Sequence, residues 1–542
     1  MLQPSLSNLS WTNWIQVSMS LIIILVLARV SYNLFLHPLK KVPGPFWARA
    51  SGIPSWYHAC TGKRHIWLWQ LFQTYGDVIR PAPNVVVFCN PKADEAIYSN
   101  SSNVRRSQFY QALKRKRDEN MPLNIVDVAE HAARRKLLNQ AFTDKSVRAV
   151  APLIVGHVDR LHQIILQEND GARNWTAPLD LSASFDSLMF DILGDLCFGK
   201  SFDMKEPGDN PMKAIPHTIA EYMRFYYPFC QSPFLSLLLW LKPRGLEWLL
   251  DFIAPPLVER YNKFVYDTIS NRIALQKQQE QKPEEERRRD IFYFLYEAHK
   301  PDAGSLAYDE GDLRADISLL IIAGSDTTSV ALSSFFFYLS GDPVRCQKLT
   351  NEILATFDSA EDIVQGVKLT GCTYLRACID EVLRLAPAVP CELQREVLQG
   401  GIEIMGQHYA AGTIVGTASW TTGRNEKLYG DPWMFRPERW IADGVTVTRE
   451  EVTKLKASFR PFSSGPGVCV GKNVALMEIM ITVARTLHRF ELRRAPKSTR
   501  NTDDVDLRLG ARDKNQFQIE DAYISLVEGP HVQFRRRQPA SV

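Results

Sequence analysis

The chain of 542 residues contains no Cys-x-x-Cys pair, and its nine cysteines are an odd number. Both features disfavour a disulfide framework and a structural zinc site, and they fit a reducing compartment. No internal repeat and no long Gly/Ser linker interrupts the sequence, so a single large domain is compatible with its length. The net charge of +4 is small for this size, and no zinc-finger or aromatic-basic recognition motif occurs. That combination argues against a nucleic-acid partner. No basic residue precedes the first apolar run, which disfavours a cleaved signal peptide.

That run, residues 14–36, reads WIQVSMSLIIILVLARVSYNLFL and is wholly apolar over 21–28. About 20 such residues cross a bilayer as a helix. Arg29 would cost about 2.5–3.5 kcal/mol at the bilayer centre and is accommodated near one end, where it snorkels. Trp11 and Trp14 suit one interface. Arg29, Lys40, Lys41 and Arg49 follow the apolar centre, so the positive-inside rule places the body on the cytosolic side. The Asn8-Leu9-Ser10 sequon then falls on the lumenal side. The competing reading is a buried core helix. Residues 37–45 (HPLKKVPGP) form a proline-stiffened connector.

The body is mainly helical by pattern. Helices are expected over 128–142, 153–167, 181–193, 257–276, 312–339, 345–356, 372–385 and 472–490, with strands at 85–89 and 402–404. The charge-dense stretch 276–290 reads as a solvated loop, and the Arg535–Arg537 run as a solvated tail.

The stretch 462–471 (FSSGPGVCVG) is an irregular loop that runs into a helix near Gly471. Cys469 therefore stands at a helix N-terminus, where free N–H groups and the dipole lower a thiol pKa. Gly465 and Gly471 permit close approach to a flat partner. Such a cysteine serves as a nucleophile, a metal ligand or a capped core residue, and a nucleophile would need a base beside it.

Three more patterns stand out. Ala323-Gly324-Ser325-Asp326-Thr327-Thr328 interrupts the apolar 312–339 helix, where Gly324 costs about 1 kcal/mol relative to alanine. A helix keeps such features when something binds there, or when small polar residues pack on a neighbour. Glu381 and Arg384, at i and i+3, share a helix face, which alone means little. Phe435-Arg436-Pro437-Glu438-Arg439-Trp440 is the last.

Taken in order, these patterns resemble the cytochrome P-450 superfamily, and fungal microsomal members most. Residues 462–471 are similar to the signature FxxGxxxCxG. The resemblance implies haem b as cofactor, with Cys469 as axial ligand of the iron and Phe462, Gly465 and Gly471 shaping the loop against it. Thiolate ligation favours O–O cleavage. Residues 323–328 are similar to [AG]Gx[DE]T[TS]. By that likeness Ala323 and Gly324 open a groove over the haem, Thr327 hydrogen-bonds the oxygen there, and Asp326 helps bring protons. Glu381, Arg384 and Arg439 correspond to a buried structural triad. Two departures are visible: Gly467 stands where the family often has arginine, and the aromatic of its WxxxR motif is missing. The nearest match is His131 to Arg135, so the propionate contacts fall to Arg135 and Arg395, with His131 beside them.

The resemblance implies a mainly α fold with small β-sheets: an anchor in 1–36, the connector 37–45, a haem monooxygenase domain over 46–530 and a basic tail over 531–542. It implies a single-pass endoplasmic reticulum protein with a cytosolic catalytic domain. Electrons from NADPH would arrive through a flavoprotein reductase, with cytochrome b5 as a further donor. The expected substrate is an apolar small molecule of fungal secondary metabolism (terpenoid, polyketide or alkaloid), the alternatives being a xenobiotic or a fatty acid. The pocket would draw on 107–126, 225–240, 317–321 and 388–393. Phe225, Tyr226, Tyr227, Phe229 and Phe234 make the second region apolar, suited to an access path or a membrane surface. Two rivals belong to other classes. A non-catalytic membrane haem binder would not need the Asp326–Thr327 pair, and a cysteine hydrolase would act without haem.

Overall fold

The computed structural model describes residues 11–114, 120–169, 174–253, 256–298, 310–496, 513 and 515–538. Helix α1 (Trp11–Ser31) continues as a π-helical turn, Tyr32–Leu36. None of the residues of α1 is buried, so its apolar surface is left largely uncovered by the described residues. Trp11–Leu36 is long and apolar enough to span a bilayer and is a candidate membrane anchor. The Asn8 sequon lies outside the described residues. The connector after α1 packs on the body: Leu39 and Val42 are buried, and the Arg80 N–H donates to the Pro43 carbonyl at 2.7 Å. A Cβ on Gly44 would stand 2.5 Å from the Arg80 oxygen, so only glycine allows this approach.

The helices that frame the site are α2 (Val128–Ala141), α3 (Asp144–Glu168), α4 (Leu181–Phe198), α5 (Ile215–Cys230), α6 (Pro256–Gln279), α7 (Glu310–Gly341), α8 (Thr373–Leu385) and α9 (Lys472–Arg489). Their starts follow from side-chain caps: Asp127, Thr143 and Asp180 accept from the first-turn N–H groups of α2, α3 and α4. The sequence reading began α3 after Pro152. The helix instead starts at Asp144 and carries Pro152 in its interior, because the Thr143 cap and a buried apolar face outweigh one lost backbone bond. Helix α7 is the buried centre of the body, with Ile317, Ile321, Leu332 and Phe336 fully enclosed. It crosses α4 closely, since a Cβ on Gly324 would lie 2.9 Å from Leu193 Cδ1.

Strands are short. In chain order they are β1 (Val78–Ala82), β2 (Val85–Phe88), β3 (Val104–Arg106), β4 (Leu179–Asp180), β5 (Arg395–Val397), β6 (Ile402–Ile404), β7 (Gln407–Tyr409), β8 (Ile414–Thr417), β9 (Phe490–Arg494), β10 (Glu520–Ala522), β11 (Ile524–Leu526) and β12 (His531–Arg536). The largest sheet has the order β1-β2-β8-β5-β3, with β2 and β8 parallel. Two expectations are corrected. Residues 531–536 are not a solvated tail but strand β12, paired with β9 and β4, and the side chains of Val532 and Phe534 alternate into the core. The 276–290 stretch is solvated only in its middle. It starts in the last turn of α6, and it ends on fully buried Asp290, which accepts two 3.0 Å bonds from Arg272.

Candidate active site

A cavity of about 810 Å³ lies between α7 and the loop that carries Cys469. Its walls are mostly apolar and come from α4, α5, α6, α7, the 388–393 segment and the turn at Tyr523. Cys469 is exposed to it. So is Ala323, an exposed residue in the middle of the core helix. Gly324, Thr327 and Thr328 continue that face, so the expected break in the apolar helix opens on the cavity. Thr327 Oγ1 donates to the Ala323 carbonyl at 2.7 Å.

The cysteine loop is built by local constraints. The Cys469 N–H donates to the Phe462 carbonyl at 2.8 Å, and Phe462 and Gly471 also line the cavity. At Gly471 an added Cβ would meet nothing within 4 Å, which leaves room for a flat partner. Gly465 has a different role from the expected one. Its φ is +58° and a Cβ there would stand 2.0 Å from the Tyr98 carbonyl oxygen, so it seats the loop on the Tyr98 backbone. The expectation of a lowered thiol pKa is also corrected. Burial pushes the Cys469 thiol up, and this outweighs the pull of the Gly471 N–H, Arg135 and the Lys472 N–H. The helix N-terminus alone does not offset that desolvation. A bound metal ion would take the proton from the sulfur outright.

The basic residues assemble as expected, with one addition. Arg106, His131, Arg135 and Arg395 act on one another electrostatically, and Arg135 interacts with Cys469. No ion pair with a carboxylate joins any of them among the described residues. Burial first, then Arg395, pushes Arg106 down to about 10. Burial and the three arginines push His131 down to about 4, so it is neutral at pH 7 and offers a hydrogen bond, not a charge. Gly467 explains the missing family arginine: a Cβ there would lie 2.8 Å from Arg395 Nη2. The Arg395 guanidinium thus occupies the space beside the loop, between the Tyr98 and Tyr110 rings at 5.1 and 5.8 Å. Sequence reasoning missed Arg106, whose only local signal is the Arg105-Arg106 pair in a short strand.

The triad is in place. Arg384 donates to both Glu381 oxygens at 2.8 Å, and Arg439 Nε to one at 3.1 Å. The Arg436 N–H and Trp440 Nε1 also donate to Glu381, at 2.8 and 2.9 Å. Burial alone would raise the Glu381 pKa, but Arg384 and Arg439 hold it below the ordinary glutamate value.

Asp326 does not line the cavity. One carboxylate oxygen is buried without a partner, and burial and Asp186 hold its pKa well above the aspartate value. Glu478, on α9, went unnoticed in sequence. It lines the cavity and accepts from Thr328 Oγ1 at 3.2 Å, and burial pushes it up to about 8. The expected pocket segments contribute Leu113, Met121, Leu123, Leu319, Val389 and Leu393. Of 225–240 only Tyr226 lines the cavity. The lining stripe of α5 is Ile215, Thr218, Ile219, Tyr222, Met223 and Tyr226. That helical periodicity turns Phe225 outward, where it is exposed.

The residues fit a haem. An apolar slot suits the macrocycle, a cysteine opens on it as the metal donor, and three arginines without carboxylate partners, with neutral His131 among them, suit two propionates. The cavity and its donor set thus suit a haem-binding protein. Residues 42–518 match the model of the cytochrome P-450 family. The chain is 32% identical to the cytochrome P-450 monooxygenase fscF of Fusarium equiseti, with 97% of each chain covered. It is 30% identical to the monooxygenase apf7 of Gibberella fujikuroi, over 97% of this chain and 98% of the relative. The figure is 29% for poxM of Penicillium oxalicum, over 96% and 94%. The chain belongs to the cytochrome P-450 family, whose members here are fungal monooxygenases.

Proposed function

We propose that the protein is a membrane-anchored haem-thiolate monooxygenase that oxidises an apolar small molecule of fungal secondary metabolism, with Cys469 as iron ligand. The observation that carries this reading is the placement of Cys469 and the Ala323–Thr328 face on one apolar cavity, beside uncompensated basic residues. Bound there, haem supplies the oxygen activation and electron transfer. The chain's own residues supply the rest. Arg106, Arg135 and Arg395 pair the propionates, and neutral His131 donates a hydrogen bond. Apolar walls exclude water and hold the substrate. Thr327 offers a hydroxyl on the cavity face of α7, and Asp326, whose proton burial and Asp186 hold more tightly than in an ordinary aspartate, stands one residue away as a proton store.

Electrons come from NADPH through a flavoprotein reductase in the same membrane, with cytochrome b5 as a second donor. The endoplasmic reticulum suits a single anchor followed by basic residues. Exposed Trp47, Trp240, Trp248 and Phe252 support a body that rests on the membrane surface. The non-catalytic binder leaves the Asp326–Thr327 pair without a purpose. The hydrolase reading lacks a base hydrogen-bonded to the Cys469 sulfur among the described residues.

The test is to purify the protein, reduce it and add carbon monoxide. A thiolate-type haem spectrum is expected, and histidine-type ligation or no porphyrin in folded material would overturn the reading. Thr327→Ala is expected to keep that spectrum, while product per NADPH falls several-fold and peroxide rises. Unchanged coupling would remove Thr327 from the proposed role. Deletion of residues 1–36 is expected to shift the protein to the soluble fraction or to loose attachment. Carbonate extraction checks this, and binding as firm as an integral protein's would refute the anchor.

A further inference from the structure

The crossing of α4 and α7 holds a pair of buried acids that the proposed chemistry leaves half explained. On α4, Asp186 accepts a 2.5 Å hydrogen bond from the Ser329 hydroxyl. Ser329 is buried on α7, three residues after Asp326 and on the same helix face. Asp326 Oδ2 has no partner, and neither has the hydroxyl of Tyr261, which approaches Asp326 from α6. No arginine or lysine pairs with either carboxylate among the described residues. The charged group acting on Asp326 is Asp186, and the others acting on Asp186 are limited to Asp180, the cap of α4. Burial at both acids, and at Asp326 also the Asp186 carboxylate, favours the protonated form. Both acids are half-buried as residues. Asp186 stands beside exposed Ala183 and half-buried Ser187 on the outer part of α4, whereas Asp326 lies in the middle of α7 with Oδ2 sealed. The arrangement runs from solvent to the centre of α7: a titratable acid, a hydroxyl, then a sealed acid.

We propose that Asp186 is the proton port of the active site, a positioning residue that collects protons from solvent and passes them through the Ser329 hydroxyl to Asp326. In each passage one proton enters Asp186 from water and one arrives on the Asp326 carboxylate. The Ser329 hydroxyl gives up one proton and regains one, and no electron moves. At rest that hydroxyl donates to Asp186. During transfer it turns, accepts from protonated Asp186 and donates towards Asp326. The proposal rests on the reading of Asp326 as the internal proton store. The competing account is a polar contact that only fixes α4 against α7.

Burial first, relieved by Ser329 and reinforced by Asp180, pushes Asp186 up to about 6. A carboxyl whose pKa is raised on folding binds its proton more tightly in the native state. Its contribution to stability is present at acid pH and is lost as the pH rises from 3.8 through about 6. Asp186→Asn removes that dependence, so its melting temperature should rise relative to wild type across this window. A purely structural contact predicts a loss at every pH.

The functional arm uses the full-length haem-loaded enzyme with a flavoprotein reductase. It follows substrate-free NADPH oxidation and the split between peroxide and water, in H2O and D2O. Asp186→Asn is expected to slow water formation roughly 10-fold, to enlarge the solvent isotope effect and to flatten the pH profile near 6. Asp186→Glu should restore all three. An Asn variant with the wild-type profile and isotope effect overturns the port. If that variant does not retain haem, Ser329→Ala decides, with the same signature expected and an unchanged profile overturning the proposal. A wild type without a thiolate-type carbon monoxide spectrum would sink the monooxygenase reading instead, so the two failures are distinguishable.

Discussion

Cys469→Ser is expected to bring oxidation to background while the protein stays folded. Serine preserves the size of the side chain and the loop contact from the Cys469 N–H to the Phe462 carbonyl. What it loses is the sulfur. A thiolate gives the iron the electron density that favours O–O cleavage, and a hydroxyl at the same position does not. The fold itself should survive, because the loop is held by Gly465 on the Tyr98 backbone and by α9, not by the sulfur. The reduced carbon monoxide spectrum should lose its thiolate signature, and the far-ultraviolet circular dichroism should match wild type. Product formed at the wild-type rate by the serine variant would exclude Cys469 as the ligand.

Glu381→Ala is expected to cost about 3–5 kcal/mol of stability, as removal of one partner from a buried ion pair does. A typical domain has about 5–15 kcal/mol in total, so the variant should express poorly and fail to retain haem. The loss is large because Arg384 and Arg439 are buried and would face each other without a counter-charge. The Trp440 and Arg436 donors would also lose their acceptor. A surface pair provides the contrast. Arg105 and Glu396 lie 3.0 Å apart but are partly exposed, so Glu396→Ala should cost no more than about 1 kcal/mol. Urea unfolding of the two variants measures the difference, and equal midpoints would refute a structural triad.

Much of the site was legible in the chain because its pieces are local. The loop from Phe462 to Gly471 declares its irregular shape through glycine and proline, and α7 declares its polar break against an apolar run. Helix ends were read less well where two signals compete, as at Pro152 in α3, where the cap at Thr143 and the buried face prevail. Phe225 is off the cavity wall, and its exposure leaves it the membrane-surface alternative; an aromatic-rich stretch does not say which aromatics share a face. The stripe from Ile215 to Tyr226 settles that. The tail was misread because three arginines obscured the alternation of Val532 and Phe534, and only β9 and β4 give that alternation a partner.

The sequence by itself determined the long apolar N-terminal helix, the mainly helical body, the cysteine loop and the acid–hydroxyl break in the core helix, since hydrophobic period and turn chemistry act over a few residues. The tertiary structure decided which charges meet. Arg106, His131, Arg135 and Arg395 come together, and Arg395 fills the space that Gly467 leaves open. Asp186 reaches Ser329 from another helix, and burial raises the Cys469 thiol despite its helix end. Desolvation and charge pairing depend on distance in space between residues far apart in the chain, and no local pattern carries that distance.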